Sequence, residues 1–131
     1  MPKVVEPVPD VNGVNRIAAS TSLKGDISSK NDIRIDGTVE GTVYSEVKVV
    51  IGESAVVKGN VLCTNIDVWG RMEGNLYVKD LLSVKSSAVI NGDINVRRFQ
   101  VEMGAGFNGS CRMIDDKEFD NCVEQMVKVR V

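Results

Sequence analysis

The stretch Ile33-Arg-Ile35-Asp-Gly37-Thr-Val39-Glu-Gly41-Thr-Val43 alternates apolar residues with polar ones and sets a glycine at each bend. The same order returns in Val49-Val-Ile51, then Ala55-Val-Val57-Lys-Gly59-Asn-Val61. It returns again in Ile66-Asp-Val68-Trp-Gly70-Arg-Met72-Glu-Gly74-Asn-Leu76. Strict alternation with Val and Ile enrichment is a strand signal, and glycine suits bends that need positive φ or close backbone approach. Working outward, six glycines are each followed two residues later by an apolar residue: Gly25/Ile27, Gly41/Val43, Gly59/Val61, Gly74/Leu76, Gly92/Ile94 and Gly109/Cys111. Their spacings are 16, 18, 15, 18 and 17 residues. Self-similarity at a short fixed period marks a solenoid, whose turns bury a core only by stacking.

Three short strands in about 17 residues describe a triangular coil. The corner between the apolar pair and the next Gly or Ala comes in two lengths. It is short at Ile35 to Gly37 and Val68 to Gly70, and two residues longer at Ile51 to Ala55, Val84 to Ala88 and Val101 to Ala105. Ile17 to Leu23 reads as a weaker opening repeat of the long kind, which predicts about six coils over residues 15–113. At ~4.8 Å per stacked coil the rod is on the order of 30 Å long. The position before each second glycine reads Lys24, Glu40, Lys58, Glu73, Asn91, Asn108. A parallel in-register pile would set these opposite charges and the asparagine pair side by side.

Composition narrows the function. The net charge of −2 with mixed signs supplies no basic field for nucleic acid. There is no histidine, which removes the commonest general base and zinc ligand. No serine–base pair, phosphate-cradling loop or carboxylate cluster suggests catalysis, so no enzyme, cofactor or metal is expected. Left-handed hexapeptide-repeat enzymes also use triangular coils, but they keep one corner length and rely on histidine. Cys63 and Cys111 fall at apolar repeat positions and read as small buried thiols, which with Cys122 fits a reducing, cytoplasmic setting. No apolar run is long enough for a membrane span, and no signal peptide opens the sequence.

The segments Leu23-Lys-Gly-Asp-Ile27, Ile33 to Gly41, Val49 to Gly59 and Ala88-Val-Ile-Asn-Gly-Asp-Ile94 resemble the bactofilins, a bacterial cytoskeletal family. The resemblance covers nearly the whole repeat region. It implies a right-handed parallel β-helix, and nucleotide-independent, non-polar filaments that scaffold cell-wall enzymes or other machinery, often at the inner face of the membrane. Membrane proteins and the membrane surface are further partners it implies.

The expected organisation is therefore an all-β parallel β-helix at 15–113 between a disordered N-terminal tail (1–14) and a C-terminal tail (114–131). The first tail carries all three prolines and Gly13. Its Val4, Val5 and Val8 have only Lys3 nearby, with Glu6 and Asp10, and so lack the basic support that weak membrane anchors use. The second tail reads equally as a short helix, an extra strand or a partner-binding segment.

A β-helix ends in two coils whose backbone groups lack a strand partner, and such edges template further pairing. Phe99, Val101, Phe107 and Met113 form the candidate interface at the C-terminal end; Ile17, Leu23 and Ile27 form it at the N-terminal end. Two readings of the C-terminal aromatics stand here. Either the tail folds over Phe99 and Phe107 as a plug, or they dock on an identical face of a second subunit. Laterally, Tyr44, Leu62 and Tyr77 occupy one outward column in successive coils and are expected to be exposed, as is Trp69 at a short corner. That strip reads either as a docking surface or as a ladder that stabilises a sheet face.

Overall fold

Each repeat forms one coil, and its strands pair with those of the coils before and after. The computed structural model describes residues 14–127. Its strands are β1 (Val14–Ile17), β2 (Ser22–Lys24), β3 (Ile27–Ser29), β4 (Asp32–Ile35), β5 (Thr38–Ser45), β6 (Lys48–Ile51), β7 (Val56–Val68), β8 (Arg71–Val84), β9 (Val89–Val101) and β10 (Gly106–Met113); a helix, α1 (Asp116–Met126), follows. All pairings are parallel, as a solenoid requires. The longer strands run around the glycine bend and so contribute to more than one face of the triangle. Six coils result, the first opening at Val14 and the last closing at Met113.

The glycine column explains the register. Gly25, Gly41, Gly59, Gly74, Gly92 and Gly109 all have positive φ, between 132° and 146°. A Cβ built on Gly59 or Gly74 would overlap the carbonyl oxygen of the glycine one coil earlier. The bend can therefore stack at strand spacing only if every coil after the first carries glycine there. The two corner lengths also have a structural basis. Each long corner closes a turn in which a backbone N–H bonds the carbonyl three residues back: Ala55 to Gly52, Ala88 to Lys85 and Ala105 to Glu102. Thr21 to Ala18 repeats this in the opening coil, which is of the long kind as read. Serines in the long corners tie adjacent coils together. The Ser54 hydroxyl donates to the Asp36 carbonyl (2.8 Å), and Ser87 does the same to Trp69 (2.7 Å).

The core is a single column of aliphatic side chains, with Ile33, Ile35, Ile51, Ile66, Met72, Leu76, Leu82 and Ile90 fully enclosed. The outward column Lys24, Glu40, Lys58, Glu73, Asn91, Asn108 stands in register. The Asn108 amide donates to Asn91 (3.2 Å), whereas Glu73 pairs with Arg71 of its own coil (3.4 Å).

Two expectations need correction, and the open reading of the C-terminal tail resolves to one of its alternatives. Cys63 is buried as read, but Cys111, at the inward position of Val61, Leu76 and Ile94, is exposed because no coil follows to cover it. The segment after Met113 is a helix, and it lies against the side of the solenoid rather than over its end. The strip of Tyr44, Leu62 and Tyr77 is consequently covered: Leu62 is 0% exposed and both tyrosines are half-buried. The expected disordered tail at 1–14, with Val4, Val5 and Val8, falls outside the described residues apart from Val14, as does 128–131.

Candidate functional site

The inward column of the last coil is assembled from three strand segments. The end of β9 supplies Phe99 and Val101, and β10 supplies Phe107, Cys111 and Met113. In the four middle coils the same positions are sealed; here they open to solvent. Phe99 is 46% exposed, Val101 48%, Phe107 36% and Met113 59%. Strand β10 pairs with β9 alone, so its outer edge carries unmatched backbone donors and acceptors. All four C-terminal interface residues named from the sequence are thus brought to one face. Sequence reading missed Met103, at the tip of the adjoining long corner, the most exposed large apolar side chain among the described residues.

The first coil is chemically different. Ile17 is nearly buried, and Leu23 and Ile27 are partly buried against the core. Two inward positions of this coil are polar: Asn15 is in register with Ile33, and Ser29 with the buried Ser45. Their side chains bond each other, the Asn15 amide donating to the Ser29 hydroxyl at 2.6 Å. The Ser29 oxygen also accepts the Asn31 backbone N–H (2.9 Å). The N-terminal end thus has a partial polar cover that its C-terminal counterpart lacks. Setting the repeats in register exposes this in the sequence, since the column containing Ser29 runs Ser29, Ser45, Cys63, Val78, Val96, Met113, from polar to apolar.

Beside the first corner, Asp36 is almost enclosed and holds two arginines. The Arg34 guanidinium donates from Nε (3.0 Å) and Nη2 (3.1 Å), and Arg16 approaches at 3.3 Å. The bonds from Arg34 hold the Asp36 carboxyl below the usual carboxylate range against the opposing effect of burial.

On the side face, α1 begins with a capping box: the Asp115 carboxylate accepts the Glu118 N–H (2.8 Å), and the Glu118 carboxylate accepts the Asp115 N–H (3.2 Å). Phe119 is buried against Leu62 and Ile114, with Tyr44, Tyr77, Cys122, Val123, Met126 and Val127 around them. The sequence signal was present: Asp115-x-x-Glu118 followed by apolar residues at 119, 122, 123 and 126. Three ion pairs flank the patch, Arg97–Asp116 (3.0 Å), Arg112–Glu118 (3.2 Å) and Lys79–Asp120 (3.7 Å). Burial, then the negative charges of Glu46 and Asp120, push the Tyr44 phenol up. Trp69 is exposed at its short corner as read, with the Lys85 ammonium 5.3 Å from the ring centre. Among the described residues no cluster of His, Cys, Asp or Glu is arranged to hold a metal ion. No helix among them is long and apolar enough to cross a membrane.

Comparison with known proteins agrees with this architecture. The profile of the bactofilin family, described as polymer-forming cytoskeletal, matches residues 15–112, which is the solenoid. Bactofilin BacO of Myxococcus xanthus (strain DK1622) is 32% identical over 102 residues, covering 78% of this chain and 80% of that protein. No solved structure matches. A six-coil parallel solenoid whose glycine ladder coincides with the family profile therefore places this chain in the bactofilin family of polymer-forming cytoskeletal proteins.

Proposed function

We propose that the chain assembles end to end, C-terminal coil on C-terminal coil and N-terminal coil on N-terminal coil, into filaments without polarity. The observation that carries this is the last coil. Phe99, Val101, Phe107 and Met113 form a continuous apolar face bordered by unpaired strand edge. Burying such a face on a copy of itself satisfies both the side chains and the backbone. A self-complementary contact at each end alternates along the chain of subunits and cancels direction. Assembly by edge burial needs no nucleotide, so ATP and GTP leave it unchanged. The filament then serves in the cytoplasm, at the inner face of the membrane, as a scaffold for cell-shape or cell-wall machinery, with cell-wall enzymes or membrane proteins as its clients.

A monomeric adaptor presenting the tyrosine strip is not favoured, because α1 covers that strip. Sedimentation tests the filament reading. Wild-type protein pellets without nucleotide; Phe107→Arg keeps its strand circular dichroism and stays in the supernatant. Pelleting of the variant at wild-type concentration refutes a required C-terminal junction.

A further inference from the structure

The sheet face under α1 is built more generously than α1 needs. The helix crosses the coils backwards, from Arg112 in the last coil to Tyr44 in the second, with Leu62 and Tyr77 between. Its first half is matched to the surface: Asp116, Glu118 and Asp120 meet Arg97, Arg112 and Lys79. Its second half is not. Beside it lies an open groove of about 470 Å³, bordered by Tyr44, Glu46, Thr64, Phe119, Val123 and Glu124. Lys79 of the solenoid also lines the groove and pairs with Asp120 (3.7 Å), which leaves Glu46 of the solenoid and Glu124 of the helix as the like charges that share it. No basic residue stands in the last turn of α1, where the helix dipole would favour one. An 11-residue helix is marginal in isolation. Exposed ion pairs add little each, so α1 rests on one buried phenylalanine and a short apolar rim.

We infer that the Tyr44–Leu62–Tyr77 strip is a seat for one amphipathic helix, occupied by α1 and open to a partner helix that is acidic in its first half and carries a cation in its last turn. Acidic residues at the positions of Asp116, Glu118 and Asp120 engage the three solenoid cations. A Lys or Arg at the position of Glu124 answers Glu46, and a side chain larger than Val123 fills the groove. Such a helix competes with α1 only when α1 lifts, so its apparent affinity is lowered by the fraction of chains with α1 in place. The inference does not depend on filament assembly.

The first test keeps the full chain and its fold: Glu124→Lys changes one exposed helix residue. Hydrogen exchange of the α1 amides slows several-fold relative to wild type, while β7 and β8 are unchanged. Equal or faster exchange overturns the charge matching and with it the inferred partner. The second test uses a fluorescein-labelled peptide of residues 115–127 carrying Glu124→Lys, titrated into the full chain with Phe119→Asp. Binding is saturable and at least about tenfold tighter than to wild type. It weakens as salt rises from about 0.05 M to about 0.5 M, and adding Leu62→Asp abolishes it. Equal binding to wild type and Phe119→Asp, or binding to neither, refutes the seat. Should Phe119→Asp lose its strand signal, the exchange measurement still decides.

Discussion

The two ends of the solenoid are made by the same repeat, yet they present opposite chemistry. The first coil places Asn15 and Ser29 at inward positions and closes them on each other at 2.6 Å. The last coil places Phe99 and Met113 at the equivalent positions, with Phe107 and Cys111 beside them, all of them exposed. Apolar side chains open to water are stabilised by burial, whereas a hydrogen-bonded polar pair has already met most of its demand. In the proposed assembly the C-terminal edge is therefore the stronger junction and the N-terminal edge the weaker one. An edge of unpaired strand is paired in full by another strand edge, while a side face is closed by an amphipathic helix. The helix after Met113 packs on the tyrosine strip, and the inward face of the last coil stays exposed.

The largest expected effect separates the two edges. Phe107→Arg abolishes polymer and leaves, at most, loose dimers joined at their first coils. Leu23→Arg also stops polymer growth but leaves dimers joined at their last coils, and these resist dilution further. Sedimentation velocity across a dilution series distinguishes them; a tighter dimer from Phe107→Arg would reverse the comparison.

The backbone repeats the contrast between interior and edge. Gly74→Ala combines positive φ with overlap on the Gly59 carbonyl, whereas nothing lies within 4 Å of a Cβ on Gly25. The first substitution costs at least about 3 kcal/mol of stability, the second about 1 kcal/mol from conformation alone. Denaturant midpoints measured on the non-assembling Phe107→Arg background check this, and equal losses would show that the ladder is not packed tightly.

Much of this was readable in the residues. The glycine spacing and the two corner lengths yield the coil count and the strand register, because a stacked bend tolerates no other residue at its tightest point. The exposed terminal aromatics followed from the same register. The cover on the strip did not. Outward positions were identified correctly, but whether another element lies over them depends on where a short tail docks, and repeat periodicity says nothing about that. The polar pair at Asn15 and Ser29 was overlooked for a different reason: Asn15 precedes the first repeat glycine, so alignment on glycines leaves it out.

Smaller effects sharpen the asymmetry. Asn15→Val removes the polar cover from the first coil and makes the weaker junction more apolar, so the critical concentration for assembly falls by about threefold, in keeping with less than 1 kcal/mol per junction. Light scattering against concentration reads this; a rise would mean that Asn15 takes part in the junction itself. Smallest is the effect of Asp36. Because its folded carboxyl titrates below its ordinary value, its contribution is complete above about pH 4 and is lost as pH falls through the lower folded value. Asp36→Asn therefore flattens the stability curve below about pH 4, seen in denaturant midpoints at each pH. An unchanged curve would contradict the role assigned to the Arg34 pair.

The most direct test is electron cryo-microscopy of the wild-type filament grown without nucleotide. The expected map repeats every two subunits, on the order of 60 Å along the axis, with Phe107 of neighbouring subunits facing each other across a two-fold axis. A map in which the last coil contacts a first coil, or stands free in solvent, contradicts the account.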